Sequence, residues 1–229
     1  MNLITEFAQR CPDSPWATAQ QLIAANDGAI HLADKLELLP TIDSTDTTAA
    51  TANGAQAYDL ITLFTNFLKL DYNGGVHYYN GSDYTQLKMV SEGWMDARMG
   101  DWRNTAPGTP EVCWRKGKNL YVYPGASTVV TNGLKINYFA KPTAMTADGD
   151  DPFSDRTDLE DLHEGVVIYM MIRAKQAIGE WKQAEILKSD LAKFIQEKGW
   201  RVADDEMDNE VFWPYHKTTT RSAPIWGID

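Results

Sequence analysis

The chain has 229 residues, 43% hydrophobic and 23% charged, a balance that suits one large or two small folded domains with a substantial buried core. Its formal net charge is −11 and its densest basic spot is the short run at 114–118, so it lacks the Lys and Arg clusters with which proteins grip duplex DNA by releasing counterions. No apolar run of about 18 residues is present to span a bilayer, and the first residues do not pair a basic region with an apolar core as a secretory signal does.

Residues 2–10 and 17–38 read as helices, giving an N-terminal helical region over 1–40. In the second, Ala19, Leu22, Ile23, Ile30, Ala33 and Leu36 recur at mostly helical intervals. Gly28 disfavours helix by about 1 kcal/mol against Ala, which predicts a break near Asn26–Gly28. Pro40 closes the segment. The stretch 41–56 is small and polar, a loop or an edge strand.

A β-rich portion is expected over 56–142. It opens on AYDLITLFTNFLKLDY, whose apolar spacing fits strand and helix alike. NGG at 73–75 and YNGS at 79–82 are turn signals bracketing a strand. Leu87, Val90, Trp94 and Ala97 then form one stripe, which predicts a short helix near 83–100 capped by Ser82 or Asp83. After the break at TAPGTP, residues 111–124 read as a hairpin with Gly117 in its turn. Leu120 and Val122 share one face, and Tyr121 and Tyr123 the other. Asn132–Gly133 turns the chain into a third strand over 134–139.

Residues 146–165 are acidic, and their second half opens a helix with Asp155 or Thr157 as N-cap and acids in its first turn. One stripe runs through Leu162, Val166, Met170, Ala174 and Ile178. A second runs through Trp181, Ala184, Leu187, Leu191, Phe194 and Ile195. Gly179 between them predicts two antiparallel helices over 155–199. From 200 to 229 the periodicity stops: five acids lie between 202 and 210, then Trp213, Tyr215, Ile225 and Trp226. This reads as an extended docking tail, whose Trp and Tyr bury large apolar areas either on another subunit or back on the chain's own domain. The fold expected is α+β: a helical bundle with an inserted small antiparallel β domain and an extended C-terminal tail.

No chemistry assembles from the reactive residues. His31, His77, His163 and His216 have no neighbouring histidine at ligand spacing, and Cys11 and Cys113 form no CxxC, so neither a metal nor a cofactor is expected. The cysteines read as free thiols. DGDDPFSD departs from calcium-loop spacing, and YPGAS lacks the second glycine of a nucleophile elbow. No catalytic residue is assigned.

The segment PEVCWRKGKNLYVYPGASTVVTNGLKINYFAKPTAM, then DDPF, then LEDLHEGVVIYMMIRAKQAIGEWKQAEILKSDL, is similar to the adaptor proteins of tailed bacteriophages. The resemblance covers about 56–198 and lies in the order of the pieces. It implies a non-catalytic virion protein of the neck, assembled in the host cytoplasm. Such proteins form a ring, commonly of twelve copies, beneath the portal protein and above a stopper or tail protein, with double-stranded DNA passing through the lumen unbound. Subunit and portal contacts are then expected from Met170, Trp181, Leu187, Phe194, Trp213, Tyr215, Ile225 and Trp226. The acids Asp150, Asp151, Asp204, Asp205 and Glu206 are expected at the channel or its rim, where negative charge does not trap phosphates. Two other readings stand beside this one: another neck or tail component, such as a stopper or tail-attachment protein, and a carbohydrate- or receptor-binding accessory protein with an aromatic face.

Overall fold

A computed structural model describes residues 2–41, 48–52, 54–72, 75–153 and 157–208. Helices α1 (Leu3–Arg10), α2 (Thr18–Leu36), α5 (His163–Ala177) and α6 (Trp181–Asp208) enclose one core, and the β portion between them encloses a second. The architecture is α+β.

The bundle core is built from the periodic residues. Phe7, Ala25, Leu32, Val166, Val167, Met170 and Ala174 are fully buried in it. The break expected near Gly28 does not occur; α2 runs unbroken through it. A Cβ there would lie 3.2 Å from the Tyr169 ring and 3.3 Å from Val166, so the missing side chain lets α2 and α5 approach closely. That contact outweighs the local propensity penalty. Before α5, Thr157–Leu162 form a 3-10 turn leading directly into the helix, and Asp155 lies outside the described residues. Gly179 (φ 82°) turns α5 into α6, where left-handed backbone suits glycine. α6 continues past Gly199 to Asp208, because Ala, Glu and Met sustain a helix already anchored by packing.

The β portion consists of three small sheets. Strands β1 (Pro40–Thr41), β11 (Tyr138–Ala140) and β4 (Phe67–Leu70) form the first, in that order. The second is β2 (Thr48–Ala49), β10 (Leu134–Ile136), β5 (Val76–Tyr79) and β6 (Tyr84–Gln86). The third is β3 (Ala57–Asp59), β9 (Asn119–Tyr123), β8 (Val112–Lys116) and β7 (Lys88–Met89). All pairs are antiparallel except β7–β8. The strand expected over 134–139 is thus shared: it leaves one sheet at buried Asn137 and joins another. The ambiguous segment after residue 56 is strand, then helical turn α3 (Leu60–Leu63), then strand. Asp59 caps the turn by accepting from the Ile61 and Thr62 N–H groups.

The helix expected near 83–100 is corrected. Residues 84–86 and 88–89 are strands, and within 83–100 only α4 (Glu92–Arg98) is helical. Asn80, not Ser82 or Asp83, organises the turn, its Oδ1 accepting from both of their N–H groups at 2.9 and 3.0 Å. Ser91 caps α4 through the Trp94 N–H. The hairpin reading of 111–124 matches β8 and β9, with Leu120 and Val122 in the core. Its opposite face is covered as well: Trp114 stacks on Tyr121 and meets Trp102 edge-on, forming a third cluster with Met95 and Val112 beneath α4.

Side-chain contacts bind the halves. Lys69 of β4 pairs with Glu37 at 2.9 Å and donates to the Asp34 carbonyl at the end of α2. Asn26 of α2 clamps the chain leaving β11, accepting from the Met145 N–H (2.8 Å) and donating to its carbonyl (3.0 Å).

Candidate assembly surfaces

The α5–α6 turn presents apolar groups to solvent. The turn is held by an ion pair between Lys175 and Glu180 (2.8 Å) and by the Glu180 N–H donating to the Lys175 carbonyl. Around it Ile178, Trp181 and Ile186 are 38%, 60% and 63% exposed. Trp181 opens α6 at the turn itself. One turn later Ala184 faces inward, followed by Leu187, Leu191, Phe194 and Ile195 against the bundle core.

The structure therefore divides the expected contact residues. Trp181 is free for a partner. Leu187 and Phe194 are half-buried within the protomer, and Met170 is wholly enclosed. The residues 213, 215, 225 and 226 lie outside the described residues. Ile186 and Ile178 were missed as surface groups. The legible signal for Ile186 was an isoleucine off the apolar stripe among Lys, Glu and Ser.

A second surface is an open groove of about 820 Å³ where α1, the 149–151 loop, the start of α5 and the middle of α6 converge. Its charged lining is mainly acidic: Glu6, Asp150, Asp151, Asp161, Glu164 and Glu197 against Arg10 and Lys198. Lys198 pairs with Asp161, and Arg10 reaches Glu6 at 2.7 Å and Glu164 at 3.4 Å. Asp150 accepts from the Thr146 and Ala147 N–H groups and the Thr146 hydroxyl, which hold its carboxyl below the usual carboxylate range. Asp151 accepts from the Phe153 N–H and meets His163 Nε2 at 2.9 Å. These two acids thus shape their own loop as well as charge the groove. Asp204, Asp205 and Glu206 lie on the last helical stretch of α6, away in sequence from this groove.

Among the described residues, no group of three or more His, Cys, Asp or Glu is placed to hold a metal ion. Burial pushes the Cys113 thiol up to about 12, and it lowers the His31 and His77 imidazoles. No helix among the described residues is long and apolar enough to cross a membrane. What the surfaces offer is contact: an exposed apolar turn at one end of the helical hairpin and an acidic groove near the other.

A search among curated proteins finds no match. A family model described as SU10 adaptor protein matches residues 2–209, taking in the helices before residue 56 and the 82–102 segment as well as the parts after them.

Proposed function

Because this chain belongs to the SU10 adaptor protein family, a phage adaptor-type family of structural virion components, we propose that it is a head-to-tail adaptor that forms a ring under the portal. In this reading it joins capsid to tail and lets DNA pass through its lumen. The observation that carries it is the family match across both the helical and the β portions.

Physical features support it. A closed ring is made by heterologous contacts, in which one face of a subunit meets a different face of the next. The turn bearing Ile178, Trp181 and Ile186 is apolar and exposed, whereas the groove lined by Asp150 and Asp151 is acidic, so the protomer carries two unlike faces. A chain with net charge −11 does not retain phosphates that slide past it. The tail residues Trp213, Tyr215, Ile225 and Trp226 act in this reading as anchors on the portal.

The test is electron microscopy of the purified chain mixed with portal rings. Coaxial rings of portal symmetry are the expected result. Failure to bind the portal, with attachment instead to a preformed neck or to an outer fibre, would replace this function with a stopper or accessory role.

A further inference from the structure

The segment 88–118 reverses the charge of the chain: six Lys and Arg stand against four Asp and Glu, in a protein of net charge −11. Its exposed side is built around Trp94 on α4. Lys88 Nζ lies 5.4 Å and Arg98 Cζ 5.7 Å from the centre of that half-buried ring, and both cationic side chains are exposed. The carboxylates nearby are already engaged. Glu92 holds Lys116 at 2.9 Å and Arg103 at 3.5 Å. Asp96 holds Arg103 at 3.0 Å and accepts from Trp102 Nε1 at 2.8 Å, contacts that keep its carboxyl ionised. Among the described residues, neither Lys88 nor Arg98 has a carboxylate within ion-pair distance. The result is an aromatic ring flanked by two uncompensated cations.

The rest of the chain contains a complement. Beyond Gly199, which packs beside Leu36 at the end of α2, α6 runs on to Asp208, about 13 Å further at the helical rise. Lys69 ties that same end of α2 to strand β4. Within the β portion, Arg115 of β8 lies over the Phe67 ring of β4, and Lys116 beside it holds Glu92 of α4. The sequence at the end of α6 and just past it carries Asp204, Asp205, Glu206, Asp208 and Glu210, followed by Trp213, Pro214 and Tyr215. Five carboxylates within seven residues complement two exposed cations.

We propose that the acidic stretch Asp204–Glu210 of the chain's own C-terminal segment docks on the Lys88–Trp94–Arg98 surface. The contact fixes the root of the tail and leaves residues 213–226 for a partner. It stands apart from the ring reading and does not depend on it. Duplex DNA is the poorer occupant. It carries one charge per about 1.7 Å and demands several cations, whereas this surface has two on an acidic protein.

The experiment uses the full chain with a photo-crosslinking p-benzoylphenylalanine at Gly93, an exposed position where an added Cβ meets nothing within 4 Å. Crosslinked peptides read by mass spectrometry are expected within 204–215. Their yield should fall about tenfold or more in Lys88→Glu with Arg98→Glu, and return when Asp204→Lys and Asp205→Lys are added. Lys88→Gln with Arg98→Gln repeats the loss without introducing carboxylates, and thermal melts of all variants should coincide. Crosslinks that ignore these charges, or that fall outside 204–215, overturn the proposal. So does a wild-type mobility shift of duplex DNA that the double reversal abolishes, which would assign the surface to nucleic acid.

Discussion

On the proposed ring assembly, Trp181→Ala should separate assembly from folding. In the single protomer the residue is 60% exposed at the α5–α6 turn. A Trp enclosed by protein buries up to about 250 Å², so on the order of 150 Å² of this ring still faces water. At about 25 cal/mol per Å² its enclosure by a neighbour stabilises the contact by up to about 4 kcal/mol. Truncated interface aromatics commonly lose about 2 kcal/mol or more, which sets the expected loss at about 2–4 kcal/mol, roughly 30- to 700-fold in affinity. The protomer itself should barely notice, within about 0.5 kcal/mol, as for other exposed sites. Thermal unfolding followed by circular dichroism measures the second quantity. Sedimentation of portal–adaptor complexes over a concentration series measures the first. Assembly of the variant at wild-type concentrations would refute the assignment of this turn to an interface. A large fall in melting temperature would show instead that Trp181 serves its own fold.

Three further outcomes follow from the same structure. Gly28→Leu should lower the urea midpoint by the equivalent of about 1–3 kcal/mol or more, because Tyr169 and Val166 leave no room; Gly28→Ala should stay near neutral, its crowding offset by about 1 kcal/mol of helix propensity. Asp150 has a folded pKa held below its ordinary value by N–H donors, so its stabilisation is present above the ordinary carboxylate range and is lost as pH falls through the lowered value. Melting curves should therefore show Asp150→Asn less stable than wild type near neutrality and equal to it in strong acid. Cys113 is fully buried and its thiol is pushed up to about 12, so iodoacetamide at mildly alkaline pH should leave it intact in the native protein and modify it after unfolding.

Misreadings and successes share a physical pattern. The stripe Leu87, Val90, Trp94, Ala97 fits a helix by spacing alone, yet Leu87 is buried from an extended segment whose N–H donates to the Val76 carbonyl. One partner, β5, is the adjacent hairpin strand, but the other, β8 (Val112–Lys116), is remote in sequence, and local periodicity carries no record of it. Inside α4 the buried residue is Met95, and Trp94 turns outward beneath Lys88 and Arg98. The break expected at Gly28 failed for a related reason. Propensity described an isolated helix, whereas the glycine's use appears only when α5 lies against it. Of the contact residues, Trp181 remained at the surface while Met170 was enclosed, although both lay on apolar stripes. A stripe states that a side chain is buried by something, and the neighbouring helix decides by what.

What the amino-acid order determined unaided was the local grammar. The helices over 3–10 and 18–36, the turn at Gly179 and the β8–β9 hairpin at Gly117 each follow from period, caps and left-handed glycines acting within a few residues. The order of motifs along the chain also pointed to the adaptor class. Tertiary structure alone decided how β10 and β11 divide one strand between two sheets at Asn137, which apolar groups remain exposed around Trp181, and which cations around Trp94 meet no carboxylate among the described residues. Those outcomes depend on distances between segments remote in sequence. The free energy that sets them is shared by all the packed surfaces at once and belongs to no single stretch of chain.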